Sequence, residues 1–146
     1  MQPPTLGHRQ RALLAAQPVA RLATIGPGGQ PHLVPVCFAL LEEPSGPVIA
    51  IPIDQKPKRT TSLARLRNLR RDPRATLLVD HYEDDWTQLA WVRLDLHGTV
   101  LPAGREWPSA LVALRTRYPQ YRTMQLEDLP LLRFTVDRIV SWFAQP

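Results

Sequence analysis

The sequence predicts a mainly β, antiparallel barrel or sandwich with accessory helices. Three observations carry this: six or so short apolar runs are separated by turn-forming residues, two of those runs contain an internal proline, and one basic stretch changes to helical spacing.

Taken in order, His8 to Gln17 sets Leu13 and Leu14 among small and polar residues, which suits a short helix packed on a barrel. Val19 to Ile25 and the apolar run Leu33 to Leu40 flank Gly26-Pro27-Gly28-Gly29-Gln30-Pro31, the signature of a hairpin. After a break from Glu42 to Pro47, the β-branched run Val48 to Ile53 predicts a third strand. Between Pro57 and Arg71 the period becomes helical: Leu63, Leu66 and Leu69 recur among Arg65, Arg67, Arg70 and Arg71, and Pro73 ends the helix. Ala75 to Asp80 and Leu89 to Val100 read as strands either side of the acidic tip Glu83-Asp84-Asp85-Trp86, with a bulge or bend at Gly98. Glu106 to Arg117 is expected to be a helix with Leu111, Val112 and Leu114 inward, and Leu132 to Phe143 a closing strand. The stretch Val48 to Val79 also admits a βαβ reading, but no further strand-helix alternation follows it.

Composition bounds the function. The 146 residues fit one domain spanning 1–146, and 44% hydrophobic with 21% charged residues is an ordinary globular balance. No apolar run approaches the ~20 residues of a membrane span, and Met1 to Arg11 lacks the apolar core of a secretory signal, so a cytoplasmic protein is expected. The lone Cys37 cannot form an internal disulfide and is expected to be a buried, inert thiol. The net charge of +5 is concentrated between Lys56 and Arg74.

Two patterns carry candidate chemistry. Lys56-Pro57-Lys58-Arg59-Thr60-Thr61 joins a strand to a helix, so cations, hydroxyls and free helix-start N–H groups would converge as they do around a phosphate. The alternative is a solvated basic helix end. Pro35 and Pro52 interrupt apolar strands; neither can donate to a ladder, so each marks an edge, bulge or gap where a flat heterocycle could lie, or a plain edge strand. Metal chemistry is disfavoured because His8, His32, His81 and His97 are scattered with no ligand spacing, and hydrolytic motifs are missing. A nucleic-acid module is the rival: the basic helix lies near Tyr82, Trp86 and Trp91 in sequence, although the acidic tip would repel a phosphate backbone.

The succession Pro31-His32-Leu33-Val34-Pro35-Val36, Lys56-Pro57-Lys58-Arg59-Thr60, Leu66-Arg67-Asn68-Leu69 with Asp72-Pro73-Arg74, and Leu78-Val79-Asp80-His81-Tyr82 with Asp84-Asp85-Trp86 resembles the pyridoxamine 5′-phosphate oxidase-like family, and within it the coenzyme F-420-dependent branch. That resemblance implies an FMN-binding-type split β-barrel, a homodimer with cofactor sites at the subunit interface, and FMN or F-420 as cofactor. Carried over by position, Lys56, Lys58, Arg59 and Thr60 would hold the cofactor phosphate. Val34, Pro35, Val36, Ile51, Pro52 and Ile53 would line the tricyclic ring, while Asp80, Trp86 and Trp91 would come near the site. The resemblance implies an oxidoreductase of reductase type acting on a small unsaturated or aromatic acceptor, or a non-catalytic flavin or tetrapyrrole carrier. Either cofactor performs the hydride chemistry itself, which accounts for a chain without a catalytic triad.

Overall fold

The computed structural model describes residues 2–54 and 63–146. Among these, helix α1 (His8–Ala16) precedes strands β1 (Ala20–Ile25), β2 (Pro31–Val36), β3 (Ala39–Glu43) and β4 (Gly46–Pro52). Helix α2 (Ala64–Arg71), strands β5 (Arg74–His81) and β6 (Ala90–Leu101), helix α3 (Pro108–Arg117) and strand β7 (Leu131–Phe143) follow. All pair antiparallel in one seven-stranded sheet of order β2-β1-β5-β6-β7-β4-β3.

This order forces the sheet to curl. Its two edges, β2 and β3, are consecutive in the chain and joined only by Cys37 and Phe38. Three Cα steps reach about 11 Å at most, whereas a flat sheet of this width would hold its edges about 29 Å apart. The edges therefore meet at the Cys37–Phe38 link without pairing, and the barrel is split along that seam.

Burial follows the closure. Leu22, Leu77, Leu94, Phe134, Ile49 and Ile51 fill the barrel, and α1 adds Leu13 and Leu14. A second cluster forms where Ala39, Leu41 and Ala50 meet Ala110 and Leu114 of α3. Strand β4 is buried on both faces because alternate residues point into the barrel and toward α3, so its sequence is continuously apolar. Helix α2 docks on β1 through a buried bond from Asn68 Nδ2 to Thr24 Oγ1 at 3.0 Å.

Several expectations change. The run Leu33 to Leu40 is two strands at opposite sheet edges, because the Phe38 amide leaves the ladder and donates to the Tyr118 hydroxyl at 3.0 Å. The described helix α2 begins at Ala64, with Leu63 as its N-cap, and residues 57–62 lie outside the described ones. In α3 the buried residues are Ala110 and Leu114, whereas Val112 is 65% exposed. The bulge between β6 and β7 falls at Asp95/Leu96, with Asp137 as the extra residue, not at Gly98. Gly98 instead permits a close approach: a Cβ there would lie 2.6 Å from Phe134 Cε1. The βαβ reading fails because β4 and β5 are separated by β6 and β7. Among the described residues, no helix is long and apolar enough to cross a membrane.

Candidate functional site at the barrel seam

The two proline-bearing strand ends converge at the seam. Pro35 lies in edge strand β2, where a missing N–H costs no ladder bond on its open side. Pro52 pairs with Leu131 of β7 but extends past the last β3 partner. Together with Val19, Val36, Cys37, Asp54 and Arg65, they enclose a cavity of about 160 Å³. An adjoining cavity of about 350 Å³ shares Val19, Cys37 and Asp54 and is closed by Pro18, Tyr118, Gln120, Tyr121 and Met124. Cys37 is half-buried and stands in the wall of both.

Polar and charged groups share this wall with the prolines and valines. Arg65 lies on the packed face of α2 beside Leu66 and Leu69, is only 7% exposed, and its Nε is buried with no hydrogen-bond partner among the described residues. Burial pushes its guanidinium below the ordinary value, opposed by the nearby charge of Asp54. The Tyr121 hydroxyl donates to Asp54 Oδ2 at 2.5 Å, and burial, followed by that bond and one with Cys37, pushes its phenol far above the usual range. Tyr121 thus stays protonated, and Asp54 faces the cavity as an acceptor.

The seam is held from outside the barrel by the end of α3. Tyr118 receives the Phe38 amide and donates to the Pro18 carbonyl at 2.7 Å. Arg117 donates to the carbonyls of Leu14, Gln17 and Phe38, and its guanidinium lies 4.5 Å from the centre of the Phe38 ring. These contacts fix the link that carries Cys37.

The residues singled out from the sequence separate into groups. Pro35, Val36 and Pro52 line the seam cavity. Ile51 and Ile53 point into the barrel core, and half-buried Val34 packs against it. Asp80 and Trp91 stand on the outer sheet face, in an apolar hollow of about 630 Å³ shared with Arg21, Leu33, Leu78 and Arg93; there Asp80 pairs with Arg21 at 3.0 Å. Trp86 is 68% exposed on the turn capped by Asp85. Lys56, Lys58, Arg59 and Thr60 lie outside the described residues. Sequence reasoning missed Asp54, Arg65 and Tyr121. The available signal for Arg65 was a cation on the helix face that carries Leu66 and Leu69; for Asp54 and Tyr121, far apart in sequence, there was none.

A family model described as pyridoxamine 5′-phosphate oxidase matches residues 6–143. No curated protein matches the chain. Among solved structures, a conserved hypothetical protein from Mycobacterium tuberculosis is 24% identical at a TM-score of 0.69, over 99% of this chain and 91% of that one. A FAD-binding protein from Mesorhizobium loti is 17% identical at a TM-score of 0.67, over 94% of this chain and 93% of that one. The haem storage protein of Vibrio cholerae is 16% identical at a TM-score of 0.65, over 96% and 95%. At these identities the likeness is one of fold, and it agrees with the split barrel described above.

Proposed function

The chain belongs to the pyridoxamine 5′-phosphate oxidase family, and from that premise we propose that it is an FMN- or F-420-dependent oxidoreductase, a reductase acting on a small unsaturated or aromatic acceptor. The observation that carries this reading is the seam cavity itself, walled by Pro35, Val36 and Pro52 and lined also by the charged side chains of Asp54 and Arg65. A flat ring with a hydrogen-bonding edge fits such walls. The segment from Lys56 to Thr60 begins two residues after Asp54 in the chain and supplies the candidate cations for a phosphate tethered to that ring.

When bound, the flavin or deazaflavin supplies the hydride-transferring ring. The chain's own residues bind and orient: Pro35, Val36 and Pro52 pack on the ring and exclude water, and the cations after Asp54 hold its phosphate.

The same reading includes a homodimer. The hollow around Leu33, Leu78 and Trp91 is mostly apolar, Leu33 is 66% exposed, and Arg21, Asp80 and Arg93 around it offer charges of both signs to a second copy of the same face. Light scattering is expected to give twice the 16.6 kDa chain mass, and Leu33→Asp to give the single mass.

Calorimetric titration of the purified apoprotein with FMN and, separately, F-420 tests the cofactor assignment. Saturable binding of one of them at about one per chain is expected, and failure of both overturns the assignment. The Mesorhizobium loti relative is described as binding FAD and the Vibrio cholerae relative as storing haem. Titration with haemin, together with an assay for turnover of the reduced cofactor by quinone and enone acceptors, separates a reductase from a carrier.

A further inference from the structure

Resting on the cofactor reading above, we infer that the larger seam cavity is the acceptor site and that it takes an uncharged aromatic molecule of two fused rings. Size and position lead there first. The cavity of about 350 Å³ falls within the ~300–1,000 Å³ of pockets that enclose small molecules, and it is roughly twice the ~150 Å³ that holds one benzene ring. The smaller cavity, at about 160 Å³, has room for only one edge of a flat cofactor, which leaves the larger one to the reaction partner. The two share Val19, Cys37 and Asp54, so molecules seated in them would be neighbours.

The wall decides the chemical class. Pro18, Val19 and Met124 supply aliphatic and thioether surface. The rings of Tyr118 and Tyr121, also in the lining, brace each other with their centres 5.4 Å apart, so this side of the cavity is preformed. The Tyr118 hydroxyl is engaged with the Phe38 amide and the Pro18 carbonyl, and the Tyr121 hydroxyl with Asp54, so the tyrosines add ring surface rather than free donors. A flat apolar molecule gains most from such walls, through burial and through ring-ring and sulfur-ring contacts. Asp54 is the one charged residue in the lining, and a carboxylate with no lining cation beside it disfavours an anionic ligand. The exposed Gln120 completes the lining where it meets solvent, so a polar substituent held there keeps its water. On reduction, such an acceptor takes a hydride from the reduced flavin or deazaflavin and a proton from water, and one of its double bonds becomes single.

The probes are naphthalene-2-carboxamide and naphthalene-2-carboxylate, which share two rings and differ in charge. Each is titrated calorimetrically into the apoprotein and into protein saturated with whichever of FMN and F-420 it binds. Saturable binding of the carboxamide at about one per chain is expected, with the carboxylate at least about tenfold weaker. Met124 lines only the larger of the two seam cavities, so Met124→Trp should weaken the carboxamide by at least about tenfold and leave cofactor affinity within about twofold of the natural chain's. Gln120→Trp, at an exposed position on which folding does not depend, should weaken the carboxamide in the same way by narrowing the mouth. In the natural chain the carboxamide should also shift the absorption band of the bound cofactor, because the two lie against each other. No saturable carboxamide binding, binding that neither variant alters, a carboxylate that binds as tightly, or an unshifted band in the doubly loaded protein overturns the inference and leaves the cofactor reading standing. Failure of both FMN and F-420 to bind, seen in their own titrations, overturns the cofactor reading; carboxamide binding to the apoprotein that Met124→Trp abolishes still supports the aromatic site in that case.

Discussion

The hydroxyl of Tyr118 lies 3.0 Å from the amide nitrogen of Phe38 and takes the place of a strand partner at the point where the chain crosses from one edge of the sheet to the other. The same hydroxyl donates to the Pro18 carbonyl, so a single side chain ties the α1–β1 connection, the seam and the end of α3. Tyr118→Phe would leave the buried Phe38 N–H without its acceptor. An orphaned buried donor costs about 1–3 kcal/mol, and for a chain of this size that lowers Tm by roughly 3–10 °C. Differential scanning calorimetry of the variant checks this; an unchanged Tm would mean the link is held by other contacts.

Gly98 is a packing requirement. It pairs with Phe134 across β6 and β7, and an added Cβ would lie 2.6 and 2.9 Å from that ring and 3.1 Å from Leu69 Cδ2. All three atoms sit in the filled interior, so Gly98→Ala should destabilise by about 1–3 kcal/mol through overpacking. Phe134→Leu in the same chain should recover part of that loss, and urea denaturation of the single and double variants would show the two changes to be non-additive.

The acid limb of stability should carry the mark of Glu127. Its carboxylate receives two bonds from Arg115, at 2.7 and 3.0 Å, and its pKa is pulled down to about 2, chiefly by those bonds. The unfolded chain has an ordinary glutamate value near ~4.3, so between there and about 2 the unfolded state binds more protons. The contribution is fully present above about pH 5 and is lost as pH falls through the folded value. Asp72, pulled down to about 2 by its bond with Arg74, acts in the same direction. Both groups lie at the surface, so the effect should shrink in high salt. In Glu127→Gln, the urea midpoint should fall less steeply between pH 5 and 2 than in the natural chain; parallel curves would contradict the assignment.

Much of this architecture is readable from residue patterns alone. The Gly26 to Pro31 turn marks the β1–β2 hairpin, and the alternation around Phe134 and Val136 marks the closing strand. The basic run at α2 marks an amphipathic helix whose arginines Arg67, Arg70 and Arg71 stay outward. What escaped was three-dimensional. The apolar run across Cys37 and Phe38 has no turn residue to announce that it changes sheet edge, because the break is stabilised by Tyr118, 80 positions away. In α3, helix phase decides: Ala110 and Leu114, four residues apart, share the packed face while Val112 faces water. The seam likewise combines Pro35, the Pro52–Asp54 stretch, Arg65 and Tyr121, and among them only the prolines and Arg65, a cation on an apolar helix face, broke a local rule visible in the sequence.

Cys37 offers the most direct measurement of where the cofactor lies, because it is the chain's one cysteine and stands in the wall of both seam cavities. Its rate of alkylation by iodoacetamide, followed by mass spectrometry, should fall by at least about tenfold when the protein is saturated with the FMN or F-420 that titration shows it to bind. A saturated complex in which Cys37 reacts as fast as in the apoprotein would place the cofactor elsewhere and contradict the seam site.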